Sequence, residues 1–131
     1  MATVAQETDQ ITRVVDLYIQ GVRDGDAEKL REAFHPESRM WGSLGGQRYD
    51  VPIGEMIAMV DGKPVDVDGS YEGRVTSVEQ TEDVASAVVV EDGFWGTVSF
   101  VDFFALARVD GTWKIVNKTF VHTGGELPAA E

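Results

Sequence analysis

Two hydrophobic periods divide the chain. Ile11, Val14, Val15, Tyr18, Ile19 and Val22 recur with the three-and-four spacing of a single helix face. Beyond Tyr71 the pattern gives way to long β-branched and aromatic runs. The last of these is Phe100–His122, FVDFFALARVDGTWKIVNKTFVH. The patterning therefore predicts helices first and strands after.

Thr8 or Asp9 is placed to cap the first helix and Gly25 to end it. Asp26 caps a second, short helix that turns Ala27, Leu30, Ala33 and Phe34 inward and stops at Pro36. Arg39–Leu44 reads as a short strand, bent or ended by Gly42, Gly45 and Gly46. Pro52 marks the first turn of a third helix striped by Ile53, Met56, Ile57 and Val60, and Gly62 closes it. Lys63–Gly69 is a loop. Three or four strands follow: Tyr71–Gln80, Val84–Val90, and the two runs flanking Asp110–Gly111, a strong hairpin dipeptide. Asp92–Gly93 is expected to turn the chain, with Phe94–Trp95–Gly96 leading into the hairpin.

Helices gathered on one side of an antiparallel sheet make an α+β domain. The 131 residues fit a single domain, 1–131, whose ordered core spans about 8–124 because both ends are polar or small and expected to fray. Three short helices cannot cover both apolar faces of such a sheet. A homodimer through the outer sheet face is the simplest cover for the second.

Composition narrows the function. Hydrophobic residues make up 43% of the chain, enough for a core. No cysteine is present, which removes disulfides and thiol catalysis and fits a reducing compartment. The formal charge of −12, from 23 acidic and 11 basic residues, repels phosphate backbones and argues against a nucleic-acid partner. MATVAQETDQ has neither a basic region nor an apolar core of a secretory signal, and no apolar run reaches the ~20 residues of a membrane span. A cytoplasmic protein with no membrane partner is expected. Neither HxH nor HExxH spacing occurs, so no metal is expected, and no cofactor motif is found. Gly42–Ser43–Leu44–Gly45–Gly46 lacks the Lys-Ser/Thr ending of a phosphate loop and reads as a flexible turn.

The chemistry concentrates in the hairpin. Asp102, Asn117, Lys118 and His122 interrupt an otherwise apolar ribbon, and buried polar groups need partners. Such a ribbon is a candidate pocket wall. Asp102 is either a general base raised by burial or the structural partner of Lys118. Register decides between them. A three-residue loop with a bulge sets Asp102 opposite Lys118, and a two- or four-residue loop sets it opposite Thr119. His122 ends the last strand at a potential pocket mouth. His35 follows the second helix, where it can meet the last carbonyls or a ligand. Trp41, Tyr49, Met56, Trp95, Phe100, Phe104 and Phe120 are candidates to line an aromatic cavity next to Trp41, about half of them in contact with it. Trp113 reads as a packing residue.

The element order, with the strings LREAFHPESRMWG, GGQRYDVPIGEMIAMV and VDFFALARVDGTWKIVNKTFVH, resembles the nuclear-transport-factor-2-like superfamily. That superfamily shares a cone-shaped α+β fold with ketosteroid isomerase, scytalone dehydratase and SnoaL-type cyclases. Within it the strings are similar to a small bacterial group labelled "putative lumazine-binding". The resemblance runs from about Gln10 to His122. It implies three N-terminal helices on a curved antiparallel sheet, a cavity against the concave face, and homodimerisation through the outer face. Ketosteroid isomerase places an aspartate base after its first strand and binds the oxyanion with a tyrosine and a protonated acid. The first strand here, RMWGSLGG, supplies no aspartate. Tyr18 and Asp102 are loose counterparts of the other two roles. The catalytic sets of limonene epoxide hydrolase and scytalone dehydratase are not matched.

Two function classes follow. The first is a small-molecule-binding protein whose apolar, aromatic cavity is lined by the residues above with His35 and Lys118. The alternative is a cofactor-independent isomerase, dehydratase or cyclase using Asp102 or His122 as base and Tyr18 as oxyanion donor. A protein-interaction adaptor, the third reading, requires an apolar patch left over after dimerisation.

Overall fold

The computed structural model describes residues 3–128. In chain order the elements are α1 (Val4–Asp24), α2 (Ala27–Ala33), β1 (Phe34–Leu44), β2 (Gln47–Pro52), α3 (Ile53–Val60), β3 (Glu72–Thr81), β4 (Val84–Phe94), β5 (Val98–Val109) and β6 (Thr112–Gly124). Strand order across the single sheet is β2-β1-β6-β5-β4-β3.

The sheet is mixed rather than antiparallel throughout. β1 runs parallel to β6, and every other neighbouring pair is antiparallel. Parallel neighbours need a long crossover, and here everything from β2 to β5 provides it. The helices are also not all N-terminal: the β1–β2 hairpin precedes α3.

α1 starts at Val4, ahead of Thr8 and Asp9 and inside the stretch expected to fray. The reason is a capping box: Thr3 Oγ1 accepts from the Gln6 N–H while Gln6 Oε1 accepts from the Thr3 N–H. Ile11, Val15, Tyr18 and Val22 are completely buried, as their spacing requires. α2 is capped by Asp26, whose carboxylate accepts from the N–H groups of Glu28 and Lys29. It ends at Ala33, and Phe34 is already extended. β1 therefore begins five residues earlier than the sequence suggests, and its register with β6 shifts between Phe34 and Arg39, around Pro36.

β2 is absent from the sequence reading. Gly45 and Gly46, both at positive φ (57° and 83°), form a two-residue hairpin turn that pairs Leu44 with Gln47. The chain also does not turn at Asp92–Gly93. β4 continues to Phe94 through a register irregularity after Glu91, and the turn falls at Trp95–Thr97.

The β5–β6 hairpin has the expected two-residue turn, with Asp110 and Gly111 at φ 51° and 80° and Val109 opposite Thr112. A bulge then intervenes. Leu106 pairs with Ile115 but Ala105 with Asn117, so Val116 is the extra residue. Asp102 consequently faces Phe120 across the ladder, and neither Lys118 nor Thr119 is its cross-strand neighbour, although the Lys118 ammonium still reaches to 3.9 Å from its carboxyl on the same face. Counting from the turn, a regular β6 would send Asn117, Thr119 and Val121 inward. The bulge instead turns Lys118 and Phe120 into the protein, where both are buried.

The helices cover one face of the curved sheet, and the core lies between them. The opposite face keeps Phe103 (60% exposed), Val121 (50%) and Trp41 (46%) in solvent. Among the described residues no helix is long and apolar enough to cross a membrane.

Candidate functional site

A cavity of about 230 Å³ opens between the inner sheet face and the helices. The sheet contributes Met40 and Leu44 from β1, Tyr49 and Val51 from β2, Phe100 from β5, and Lys118 and Phe120 from β6. Val22 of α1, Glu55, Met56, Met59 and Val60 of α3, and Phe94 and Trp95 close the rest. The lining is almost wholly apolar, and Lys118 is its only cation.

Lys118 is buried at 6% exposure. Its Nζ sits 5.2 Å from the centroid of the Tyr18 ring and 5.1 Å from that of Phe120, so the two ring faces flank the ammonium. Its hydrogen-bond acceptors among the described residues are two thioether sulfurs, Met56 Sδ at 3.7 Å and Met40 Sδ at 3.9 Å. Sulfur is a weak acceptor. The nearest opposite charge is Asp102 Oδ1, 3.9 Å away.

Asp102 is fully buried, and neither of its oxygens has a hydrogen-bond partner among the described residues. Burial pushes its carboxyl well above the usual carboxylate range; the nearby charge of Glu91 adds to the rise and Lys118 opposes it. Glu91, on β4, is also fully buried. Its two oxygens accept from the Tyr18 hydroxyl at 2.8 Å and the Tyr71 hydroxyl at 2.7 Å. Burial is the largest cause that raises both phenols above their ordinary value. The Asp102 and Glu91 charges add to it at Tyr18, and Glu91 at Tyr71. Both hydroxyls therefore remain donors. The interior thus holds two carboxyl groups, two phenols and one ammonium behind an apolar cavity.

Tyr49, Met56, Trp95, Phe100, Phe120 and Lys118 all line this space, as the sequence suggests. Three other expected residues do not. Trp41 points to the outer face because β1 alternates and Met40 takes the inward position. Phe104 is sealed in the core, edge-on to Tyr18 at 4.9 Å and to Phe34 at 6.3 Å. His35 follows the early end of α2 into β1, where its Nδ1 accepts from the Glu37 N–H instead of meeting helix carbonyls. It borders a separate groove with Arg31, Ile53, Ile57 and Asp61.

The proposed catalytic side chains also separate. Asp102 lies behind Lys118 rather than on the cavity wall. Tyr18 is committed to Glu91. His122 is held by backbone: Nδ1 accepts from the Gly45 N–H at 3.4 Å, and Nε2 lies 2.9 Å and 2.7 Å from the carbonyl oxygens of Gly124 and Gly125. In that tautomer the ring ties the β1–β2 turn to the end of β6 and has no lone pair free to serve as a base. Trp113 packs under the Arg108 guanidinium at 5.0 Å. No group of three or more metal-ligating side chains occurs among the described residues.

Sequence reasoning missed Glu91, Tyr71, Met40 and Met59. Glu91 had a signal: it shares parity with Ala85, Ala87 and Val89, the inward residues of β4. Reading a turn at Asp92–Gly93 hid it.

Comparison with known proteins agrees with this fold. A family model described as "Putative lumazine-binding" matches residues 6–121. A solved NTF2-like protein of unknown function from Shewanella baltica OS155 superposes with a TM-score of 0.84 at 24% identity, covering 95% of this chain and 100% of that one. An NTF2-like protein of unknown function from Methylobacillus flagellatus KT gives a TM-score of 0.83 at 27% identity over 94% of this chain and 96% of that one. Among curated proteins, the aldolase FrzH of Cladobotryum sp. is 22% identical over 117 residues, 88% of this chain and 91% of that protein.

Proposed function

Because the chain belongs to the family described as "Putative lumazine-binding", we propose that it is a small-molecule-binding protein of the nuclear-transport-factor-2-like superfamily whose ligand is a compact apolar ring system bearing a carbonyl oxygen. One observation carries this reading: an apolar cavity whose only cation, Lys118, has no oxygen acceptor within hydrogen-bond reach among the described residues. A buried donor left to sulfur is under-used. A ligand carbonyl placed at the cavity floor accepts from it, while Phe100, Phe120 and Trp95 pack on the ring.

The test is calorimetric binding of aromatic ketones against hydrocarbons of the same shape. A hydrogen bond to a charged group is worth ~1.5–3 kcal/mol, so ketones should bind roughly 10- to 100-fold tighter. Lys118→Met should erase that preference and leave the hydrocarbons unaffected. If no compound of either kind binds, the reading fails.

The buried acid network favours a second reading, acid–base chemistry without a cofactor. The relative named above is an aldolase, which lends this reading support. Homodimerisation through the outer sheet face completes the proposal, supported by the exposed Phe103, Trp41 and Val121. Phe103→Lys should convert a dimer to a monomer by light scattering; a wild-type monomer at micromolar concentration removes this part.

A further inference from the structure

We propose that Lys118 is an amine nucleophile that captures carbonyl compounds in the cavity as a Schiff base, with Asp102 as the acceptor of the proton the amine must shed. The inference rests on the cavity reading above and adds covalent chemistry to it.

Four lysines occur in the chain, and only Lys118 is buried. Lys29 donates to Gln20 Oε1 at 3.0 Å, Lys114 to the Glu32 carbonyl, and Lys63 is exposed. Lys118 lines the apolar cavity, and it does so because the Val116 bulge reverses the facing of β6. Lysine amines desolvated in apolar pockets are the ones that form Schiff bases with carbonyl substrates. The sulfurs of Met40 and Met56 hold the amine in place without engaging it strongly.

The proton inventory closes within the site. At a pH where the raised Asp102 carboxyl has lost its own proton, the ammonium passes one proton to that carboxylate, 3.9 Å away. The freed nitrogen lone pair attacks the carbonyl carbon, forming the C–N bond and moving the carbonyl π pair onto oxygen. A proton from nitrogen completes the carbinolamine. Asp102 returns its proton to the departing hydroxyl, the C–O bond breaks, and water leaves. Ammonium plus carbonyl has become iminium plus water, with Asp102 as it began. The product is still a cation at the same nitrogen, so the Tyr18 and Phe120 ring faces that flank the ammonium flank the iminium too. Asp102 suits the acceptor role because burial makes its carboxyl take up a proton more readily than an exposed one.

The experiment treats the intact protein with benzaldehyde and cyanoborohydride, which reduces an imine to a stable secondary amine, and maps the label by peptide mass spectrometry. Lys118 should be labelled at least tenfold faster than Lys29, Lys63 or Lys114. Lys118→Arg, which keeps the charge but forms no imine, should retain only the slow surface labelling. Asp102→Asn should slow the labelling of Lys118 selectively. Equal labelling of all four lysines, or labelling that spares Lys118, overturns the proposal. Benzyl alcohol, a probe of similar shape with no electrophilic carbon, is run in parallel by thermal shift. If it stabilises the protein while Lys118 stays unlabelled, the amine proposal falls and the cavity reading stands. If it neither binds nor does labelling occur, both fall.

Discussion

Replacing Tyr18 with phenylalanine tests the buried network directly. Glu91 is completely buried, and its two oxygens rely on the Tyr18 and Tyr71 hydroxyls at 2.8 and 2.7 Å. Phenylalanine fills the same space, so Tyr18→Phe opens no cavity and removes only the donor. A hydrogen bond to a charged group contributes ~1.5–3 kcal/mol, and burial of both partners places this one near ~2 kcal/mol. In a domain of this size that is roughly a 6–10 °C drop in Tm. Tyr71 lies nearer the surface than Tyr18, 8% exposed against 0%, so Tyr71→Phe should cost less. The double variant should lose more than the sum, because the carboxylate is then buried without any donor. Urea titration at pH 7 for the four proteins gives the full cycle. A second signature is alkaline. Both phenols sit above their ordinary value of 10.0 in the folded chain. Above that pH the unfolded chain ionises first and wild-type stability falls; Tyr18→Phe removes part of the fall. A Tyr18→Phe change below 0.5 kcal/mol, with an unchanged alkaline limb, would refute the network.

Asp102 titrates above its ordinary value of 3.8 when folded, so the unfolded chain loses that proton first. Stability should therefore decline with rising pH from about that value up to the folded pKa, by ~1.4 kcal/mol per pH unit. Asp102→Asn should flatten this limb in urea titrations between pH 4 and 7, and parallel pH curves would contradict it. Gly42→Ala places a Cβ 2.4 Å from the Phe120 carbonyl oxygen and 2.5 Å from its ring. Overpacking there should cost ~1–3 kcal/mol and weaken ketone binding by moving Phe120; an unchanged Tm would show that β1 and β6 separate freely.

The fold was legible wherever a period ran undisturbed. The α1 stripe, the α3 stripe and the Asp110–Gly111 turn all stand where the spacing puts them. Legibility stopped at bulges. A single extra residue, Val116, reverses which side of β6 faces inward, and nothing about a valine in a strand announces that. The irregularity after Glu91 concealed half of the acid network in the same way. Trp41 was misplaced for another reason: size suggests burial, but parity in β1 gives the inward position to Met40. His122 stands near the end of β6 as its place in the run suggests, yet one of its three backbone partners, the Gly45 N–H, comes from a glycine turn 77 residues earlier and is not legible locally.

The parallel pairing of β1 with β6 also constrains how the molecule comes into being. Met40 and Lys118, which meet in the cavity wall, are 78 residues apart. As the chain leaves the ribosome, β1 and β2 are complete long before the strand that belongs beside them exists. Any state that lacks a docked β6 has a vacant slot at the middle of the sheet, flanked by the unpaired edges of β1 and β5. Loss of β6 would leave two open edges, each a template for pairing with another chain. The residue proposed to meet the ligand thus sits on the strand that joins the two halves of the sheet, so binding cannot precede the docking of β6.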